Sequence, residues 1–289
     1  MQRGKSVTNF YGTNMNLEQF RHQHEIAGST LSYLDIGQGP VLLFGHSYLW
    51  CAKSWLPQLE QLSKNYRCIV PDLWAHGQSG AIPKDCRNLV DLGQNMLELM
   101  DRIDISTFTI IGQSVGGMWG TELALSAPAR VNGLVLINTF IAFEPEVTRE
   151  KYMAMLNQVK NAQAVEATLI EQIAALYFGN HTHEQQPALV EQFKFSLKNM
   201  PTALINDVVK MGRMIFGRRD TSEYAEQLTL PCLILSGVED KVRTVLEGYL
   251  MQDIIDASQF EHIQGAGHMA TLEQPEVLNL KLASFLSQV

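Results

Sequence analysis

Short unbroken apolar runs alternate with stretches of helical periodicity along most of this chain. Val41-Leu42-Leu43-Phe44, Arg67 to Val70, Phe108 to Ile111, Val131 to Ile137 and Pro231 to Ser236 are runs of the first kind. Such runs suit strands buried on both faces of a mainly parallel sheet. Between them, Lys53 to Lys64 repeats Trp55, Leu59 and Leu62 at helical spacing. Leu89 to Ile103 places Leu89, Leu92, Met96, Leu99, Met100 and Ile103 on one stripe. Val115 to Ser126 is apolar nearly all round, as a central helix would be. His24 to Ala27 and Thr30 to Ile36 read as two strands joined by Gly28-Ser29, a hairpin signal. Val245 to Met251 (helix), Gln259 to Ile263 (strand) and Pro275 to Leu286 (helix) continue the alternation. Strand and helix in this order predict an α/β fold, a mainly parallel, doubly wound sheet wrapped by helices.

The rhythm breaks between Thr139 and Leu228, where the pattern predicts only helices: Glu150 to Val159, Ala164 to Tyr177, Pro187 to Leu197 and Thr202 to Phe216. A long helical insertion inside an α/β domain reads as a cap over the carboxyl ends of the strands. The expected division is therefore residues 1–138 and 229–289 as core, and 139–228 as cap. Residues 1 to about 21 carry little pattern and read as a tail or a first cover over the core.

Composition adds limits. With 289 residues, 46% hydrophobic and 18% charged, the chain can bury a sizeable core. A net charge of −8 argues against a nucleic-acid or anionic-membrane surface. Arg218-Arg219 is the only basic doublet, and a solvated loop explains it better than a phosphate site. Cys51, Cys68, Cys86 and Cys232 show no C-x-x-C spacing, and Cys68 and Cys232 fall in strand-like runs, where reduced cysteine acts as a small hydrophobe. Met1 to Phe20 has no apolar leader-like segment and no run reaches membrane-spanning length. A cytoplasmic protein, monomer or homodimer, is the expectation.

The candidate chemistry centres on Gly112-Gln113-Ser114-Val115-Gly116. The bare five-residue pattern is weak, and an ordinary glycine-rich turn would also satisfy it. Its context is more specific, because a β-branched strand precedes it and a helix follows at once, as in a nucleophile elbow. A serine needs a base, and the base needs a third group to hold its tautomer. Asp240 follows the apolar strand that ends at Ser236, and His268 lies in the loop after the final strand. All three would emerge at one sheet edge, in the order Ser, acid, His that this architecture expects. Glu239 is the rival acid. His22-x-His24 and His181-x-His183 lack a nearby Cys or Asp cluster, so solvated histidines are favoured over metal ligands. No Gly-x-Gly-x-x-Gly or phosphate loop occurs, and no cofactor or metal is expected.

From residue 24 onward the chain resembles the α/β-hydrolase superfamily, and within it the capped esterase, C–C hydrolase and cofactor-free haloperoxidase-like branch. The matching pieces are Leu42-Leu43-Phe44-Gly45-His46, Pro71-Asp72-Leu73-Trp74-Ala75-His76-Gly77-Gln78-Ser79, the Ser114 segment, Leu235-Ser236-Gly237-Val238-Glu239-Asp240, and Gly267-His268-Met269-Ala270-Thr271-Leu272-Glu273-Gln274-Pro275. The resemblance implies backbone oxyanion donors at Tyr48 and Val115, although Ser47 and Ala75 stand where glycine is usual. It implies Asp240, not Glu239, as the acid, and gives His46 a bracing role. Asp72 and His76 would stabilise the turn after their strand. Serine at position 114 argues against dehalogenase and epoxide-hydrolase relatives, which carry aspartate there.

The expected activity is hydrolysis of a small-to-medium, largely apolar carboxylic ester or lactone through an acyl-enzyme on Ser114. A C–C hydrolase acting on a diketone and a weakly catalytic ligand receptor remain open alternatives. The cap is rich in Met and Phe, which predicts a deformable apolar wall. Trp50, Phe140 and Phe143 are the expected wall residues, and Cys51 and a Tyr48 hydroxyl are further candidates for it.

Overall fold

The computed structural model describes residues 15–289. The expectation of an N-terminal tail falls largely on residues 1–14, outside that range. From Met15 the chain makes a short 3-10 turn, Leu17–Phe20, whose Asn16 side chain accepts the Glu18 N–H.

Eight strands follow: β1 (Arg21–Ile26), β2 (Ser29–Ile36), β3 (Val41–Gly45), β4 (Arg67–Pro71), β5 (Phe108–Gln113), β6 (Val131–Ile137), β7 (Cys232–Gly237) and β8 (Ser258–Ile263). They form one sheet in the order β1-β2-β4-β3-β5-β6-β7-β8, antiparallel at β1–β2 and β2–β4 and parallel elsewhere. The apolar runs occupy the centre, where β5 and β7 are buried at every position. The hairpin turn is Ala27-Gly28, one residue earlier than the sequence suggests. Both residues have positive φ (49° and 78°), the twist that suits a two-residue hairpin.

The helices are α1 (Leu56–Leu62), α2 (Leu89–Arg102), α3 (Val115–Ser126), α4 (Glu146–Ala162), α5 (Ala167–Tyr177), α6 (Asn180–Gln185), α7 (Pro187–Lys198), α8 (Thr202–Phe216), α9 (Ser222–Ala225), α10 (Val245–Ile254), α11 (Ala270–Glu273) and α12 (Pro275–Leu286). The expected Lys53–Lys64 helix divides into a 3-10 turn, Ala52–Trp55, and α1, with Pro57 in the first turn, where it costs no hydrogen bond. Asn88 caps α2 by accepting the Asp91 N–H, and Thr244 with Glu247 forms a capping box at α10. Helix α3 is buried from Val115 through Ala124, which its lack of a polar face requires. All four cysteines are free, and Cys68 and Cys232 are buried within strands.

Between β6 and β7 the described chain contains helices and no strand. This insertion rests on the carboxyl ends of the strands through specific bonds. His268 N–H donates to Tyr177 O (3.0 Å), Tyr48 Oη to Val208 O (2.8 Å), and Gly179 N–H to the buried Glu273 carboxylate (2.9 Å). Among the described residues no helix is long and apolar enough to cross a membrane.

Candidate active site

Ser114 sits where β5 turns into α3, with φ 54° and ψ −121°. A non-glycine residue there costs on the order of 1–3 kcal/mol, so its surroundings must hold it. Ser114 N–H donates to Ile137 O (2.9 Å), and Ser114 O accepts from the Thr139 hydroxyl (2.7 Å) and Gly117 N–H (2.9 Å). The turn is also close-packed. A Cβ on Gly116 would lie 2.0 Å from Gly45 O, and one on Gly112 2.4 Å from the Gly116 carbonyl carbon. Glycine at both positions is therefore a packing requirement.

Three loops meet at this turn. His268 Nε2 is 3.0 Å from Ser114 Oγ, and His268 Nδ1 is 2.9 Å from Asp240 Oδ2. Asp240 Oδ1 accepts the Val242 (2.7 Å) and Arg243 (3.0 Å) backbone N–H groups, and Oδ2 also accepts from Asn138 Nδ2 (2.6 Å). A carboxylate only accepts, so Nδ1 carries the imidazole proton and the Nε2 lone pair faces the serine hydroxyl. The base loop is fixed as well: Gln113 Nε2 donates to His268 O (2.7 Å), and the Tyr177 ring meets the imidazole at 5.1 Å, 84° from coplanar. Glu239 lies apart from this chain, its carboxylate accepting His181 N–H (2.9 Å).

The Tyr48 and Val115 N–H groups have no hydrogen-bond partner among the described residues. Both are therefore available to an oxygen placed near Ser114. The Tyr48 hydroxyl is committed to Val208 O, so it tethers the insertion and is not a spare donor. The loop bearing Tyr48 is braced by two buried imidazoles. His46 donates Nδ1–H to Ser47 O (2.8 Å) and accepts Leu73 N–H (2.8 Å). His76 donates to Trp74 O (2.9 Å) and accepts Leu49 N–H (3.1 Å). Burial lowers both pKa values to about 4, so both rings are neutral braces. Asp72, also buried, accepts from Ala52 N–H, Gln78 N–H and Arg21, tying the turn after β4 to the 3-10 turn and to β1.

A cavity opens beside Ser114 and His268. Helices α4, α5, α7 and α8 and their connections supply most of its lining, including Met155, Leu156, Leu169, Ile173, Met200, Val208 and Ile215. A family model described as the alpha/beta hydrolase fold matches residues 40–275, most of the chain. The chain belongs to the α/β-hydrolase family. A 3-oxoadipate enol-lactonase from Acinetobacter baylyi is 26% identical over 91% of this chain and 95% of its own length. A carboxylesterase from Bacillus subtilis is 23% identical over 86% of this chain and 80% of its own. A thermophilic esterase from Thermogutta terrifontis superposes with a TM-score of 0.83 at 23% identity, covering 93% of this chain and 98% of that one.

Several sequence expectations for this α/β-hydrolase need correction. Trp50, Phe140 and Phe143 do not line the Ser114 cavity. Trp50 stacks on Phe193 (4.9 Å, parallel), Phe140 is packed into the core, and Phe143 is 54% exposed. Of the Met and Phe residues in the helical insertion only Met155, Met200 and Phe216 reach the cavity, and Leu, Ile and Val make up most of its wall. Arg218 is not in a solvated loop: it is buried and donates to Glu144 (2.9 Å), while Arg219 pairs with Glu122. Glu144 is shared with Arg243, whose Nη2 lies 2.5 Å from it. Burial pushes the Glu144 carboxyl up, but the two guanidinium groups outweigh it and hold it below the ordinary range. His22 and His24 stack on Tyr33 at the sheet edge.

Asn138, Tyr177 and Arg243 were missed. Asn138 carried the same signal as Asp240, a polar residue just beyond an apolar strand. Tyr177 and Arg243 carried none, because the groups that bring their side chains to the site, His268 and Glu144, lie far away in sequence.

Proposed function

We propose that this chain is a serine hydrolase that cleaves a carboxylic ester or lactone through an acyl-enzyme on Ser114. The observation that carries the reading is the hydrogen-bonded chain Ser114–His268–Asp240 at the mouth of an apolar cavity, with two unpaired backbone N–H groups alongside. The names of the relatives, an enol-lactonase and a carboxylesterase, support the same bond type.

Ser114 Oγ bonds to the substrate carbonyl carbon while its proton passes to His268 Nε2. The carbonyl oxygen becomes an oxyanion and takes hydrogen bonds from Tyr48 and Val115 N–H. Collapse breaks the bond to the leaving oxygen, which receives the proton from His268 and departs as alcohol or, in a lactone, stays tethered. Water then repeats the sequence, giving its proton to His268 and freeing the carboxylic acid and Ser114. Asp240 holds the imidazole tautomer and supports the imidazolium. The helical insertion serves as a cap that shapes the acyl pocket and excludes water, while the triad stays on the core.

Fluorophosphonate labelling and a panel of aryl esters and lactones test the reading together. Labelling confined to Ser114, with ester turnover, is expected. Turnover of a vinylogous diketone without turnover of esters would overturn it.

A further inference from the structure

Apart from His268, Arg243 is the one ionised-type side chain among the residues lining the Ser114 cavity. Its side chain is 3% exposed. A guanidinium offers five N–H donors. Three are used, on Glu144 Oε2 (2.5 Å), Glu144 Oε1 (3.3 Å) and Glu247 Oε1 (3.3 Å), and Nε has no partner. Its position is fixed relative to the chemistry, because its own backbone N–H donates to Asp240 Oδ1.

Tyr152 lines the same cavity, its ring stacked on Phe216 at 4.3 Å. Its hydroxyl makes no hydrogen bond among the described residues. Burial pushes that hydroxyl up to about 12, and the positive charge of Arg243 pulls against the shift. Arg243 and Arg218 share the buried Glu144, and Glu247 meets Arg243 while it completes the capping box of α10, so the ion pairs engage the Nη groups of Arg243 and not its Nε. A donor held away from water without an acceptor forfeits a hydrogen bond, so the buried Arg243 Nε calls for an oxygen-bearing group, and the unengaged Tyr152 hydroxyl lines the same cavity as a second donor. Most of the remaining wall is aliphatic, so a second polar end of a substrate finds its donors here.

We propose that Arg243 and Tyr152 form a carboxylate-binding subsite in this cavity, so that the substrate is an ester or lactone carrying a free carboxylate. The proposal rests on the reading of Ser114 as nucleophile. A planar guanidinium already stripped of water presents its remaining edge to a carboxylate at less cost than a solvated lysine would. It also makes the cavity selective, because an uncharged analogue would leave the buried donors unpaired.

The test compares the para-nitrophenyl half-ester of a straight-chain dicarboxylic acid with the same compound methylated on its free carboxylate. The wild-type chain is expected to prefer the free acid by about tenfold or more in kcat/KM, chiefly through KM. Arg243→Gln and Tyr152→Phe should each shrink that ratio, while fluorophosphonate still labels Ser114. Tyr152→Phe removes one hydroxyl and keeps the stacked ring, so it decides the matter if Arg243→Gln does not fold. A wild-type ratio at or below one, or a ratio unchanged in both variants, overturns the subsite with the esterase reading intact. Absence of turnover of both compounds together with absent labelling overturns the esterase reading itself.

Discussion

Asn138 donates its side-chain N–H to Asp240 Oδ2 at 2.6 Å, the same oxygen that faces His268 Nδ1 at 2.9 Å. Its Nδ2 also lies 3.1 Å from Gly267 O, so one amide joins the acid loop to the base loop. Asn138 holds φ 47°, a conformation Asn tolerates better than most residues. Asn138→Ala is therefore expected to lower kcat about 10- to 100-fold by letting the carboxylate turn, with KM nearly unchanged. Asn138→Asp should do worse, since it sets a second carboxylate against the first. Steady-state kinetics on an aryl ester check both. Equal kcat in wild type and Asn138→Ala would remove the positioning role.

Ser114→Ala should fold, lose fluorophosphonate labelling and lower kcat by about four to six orders of magnitude. The strained φ of Ser114 adds a second expectation. Ser114→Gly, equally inactive, should be more stable than Ser114→Ala by about 1 kcal/mol, because glycine adopts φ 54° without strain. Thermal unfolding of the two variants side by side measures the difference.

Asp240→Asn is expected to reduce kcat by roughly 10⁴ through loss of the imidazole tautomer. Glu239→Gln should cost little catalytically, since its carboxylate serves the His181 backbone at the foot of α6. The reverse ranking would show that Glu239 is the acid.

His46 and His76 govern part of the pH dependence of stability. Burial lowers both from 6.5 to about 4 in the folded chain, whereas unfolding returns them to their ordinary value. Between about pH 4 and 6.5 the unfolded chain therefore binds more protons, and their contribution to stability falls as pH is lowered through that window. Each histidine contributes a slope of at most about 1.4 kcal/mol per pH unit. His76→Gln should flatten the measured dependence of unfolding free energy on pH by about one proton in that range. A slope identical to wild type would mean that His76 is already charged in the folded protein.

The acyl pocket should respond to Met155 and Met200 and not to Trp50. Each added methylene is worth about 0.8 kcal/mol when buried, so kcat/KM should climb severalfold per carbon until the cavity is full. Met155→Ala or Met200→Ala should move the optimum to longer acyl chains, while Trp50→Ala, outside the cavity, should leave it in place. A chain-length series on the three variants separates these outcomes, and a shift only in Trp50→Ala would contradict the placement.

The sheet was legible in the sequence because strands buried on both faces must be mostly apolar, and β3, β5, β6 and β7 depart from that only at Thr109, Gln113, Asn132 and Ser236. The elbow was legible because its glycines answer to backbone contacts, such as Gly112 against Gly116, that allow no side chain. Asp240 and His268 were legible because the loops that follow the parallel strands β7 and β8 open at the same sheet edge as the elbow after β5. Each of these constraints acts within a few residues or repeats at a fixed period.

Tertiary structure alone decided the pocket and the buried charges. The Met and Phe of the insertion look alike in sequence whether they face Ser114, like Met155, or pack elsewhere, like Phe193 under Trp50, because a helix buries apolar side chains against whatever covers it. Arg218 read as a solvated loop because its partner Glu144 lies 74 residues away, and Arg243 meets the same carboxylate from 99 residues away. A charge is buried only when a partner offsets its desolvation, and which partner arrives is settled by how the insertion folds back onto the sheet.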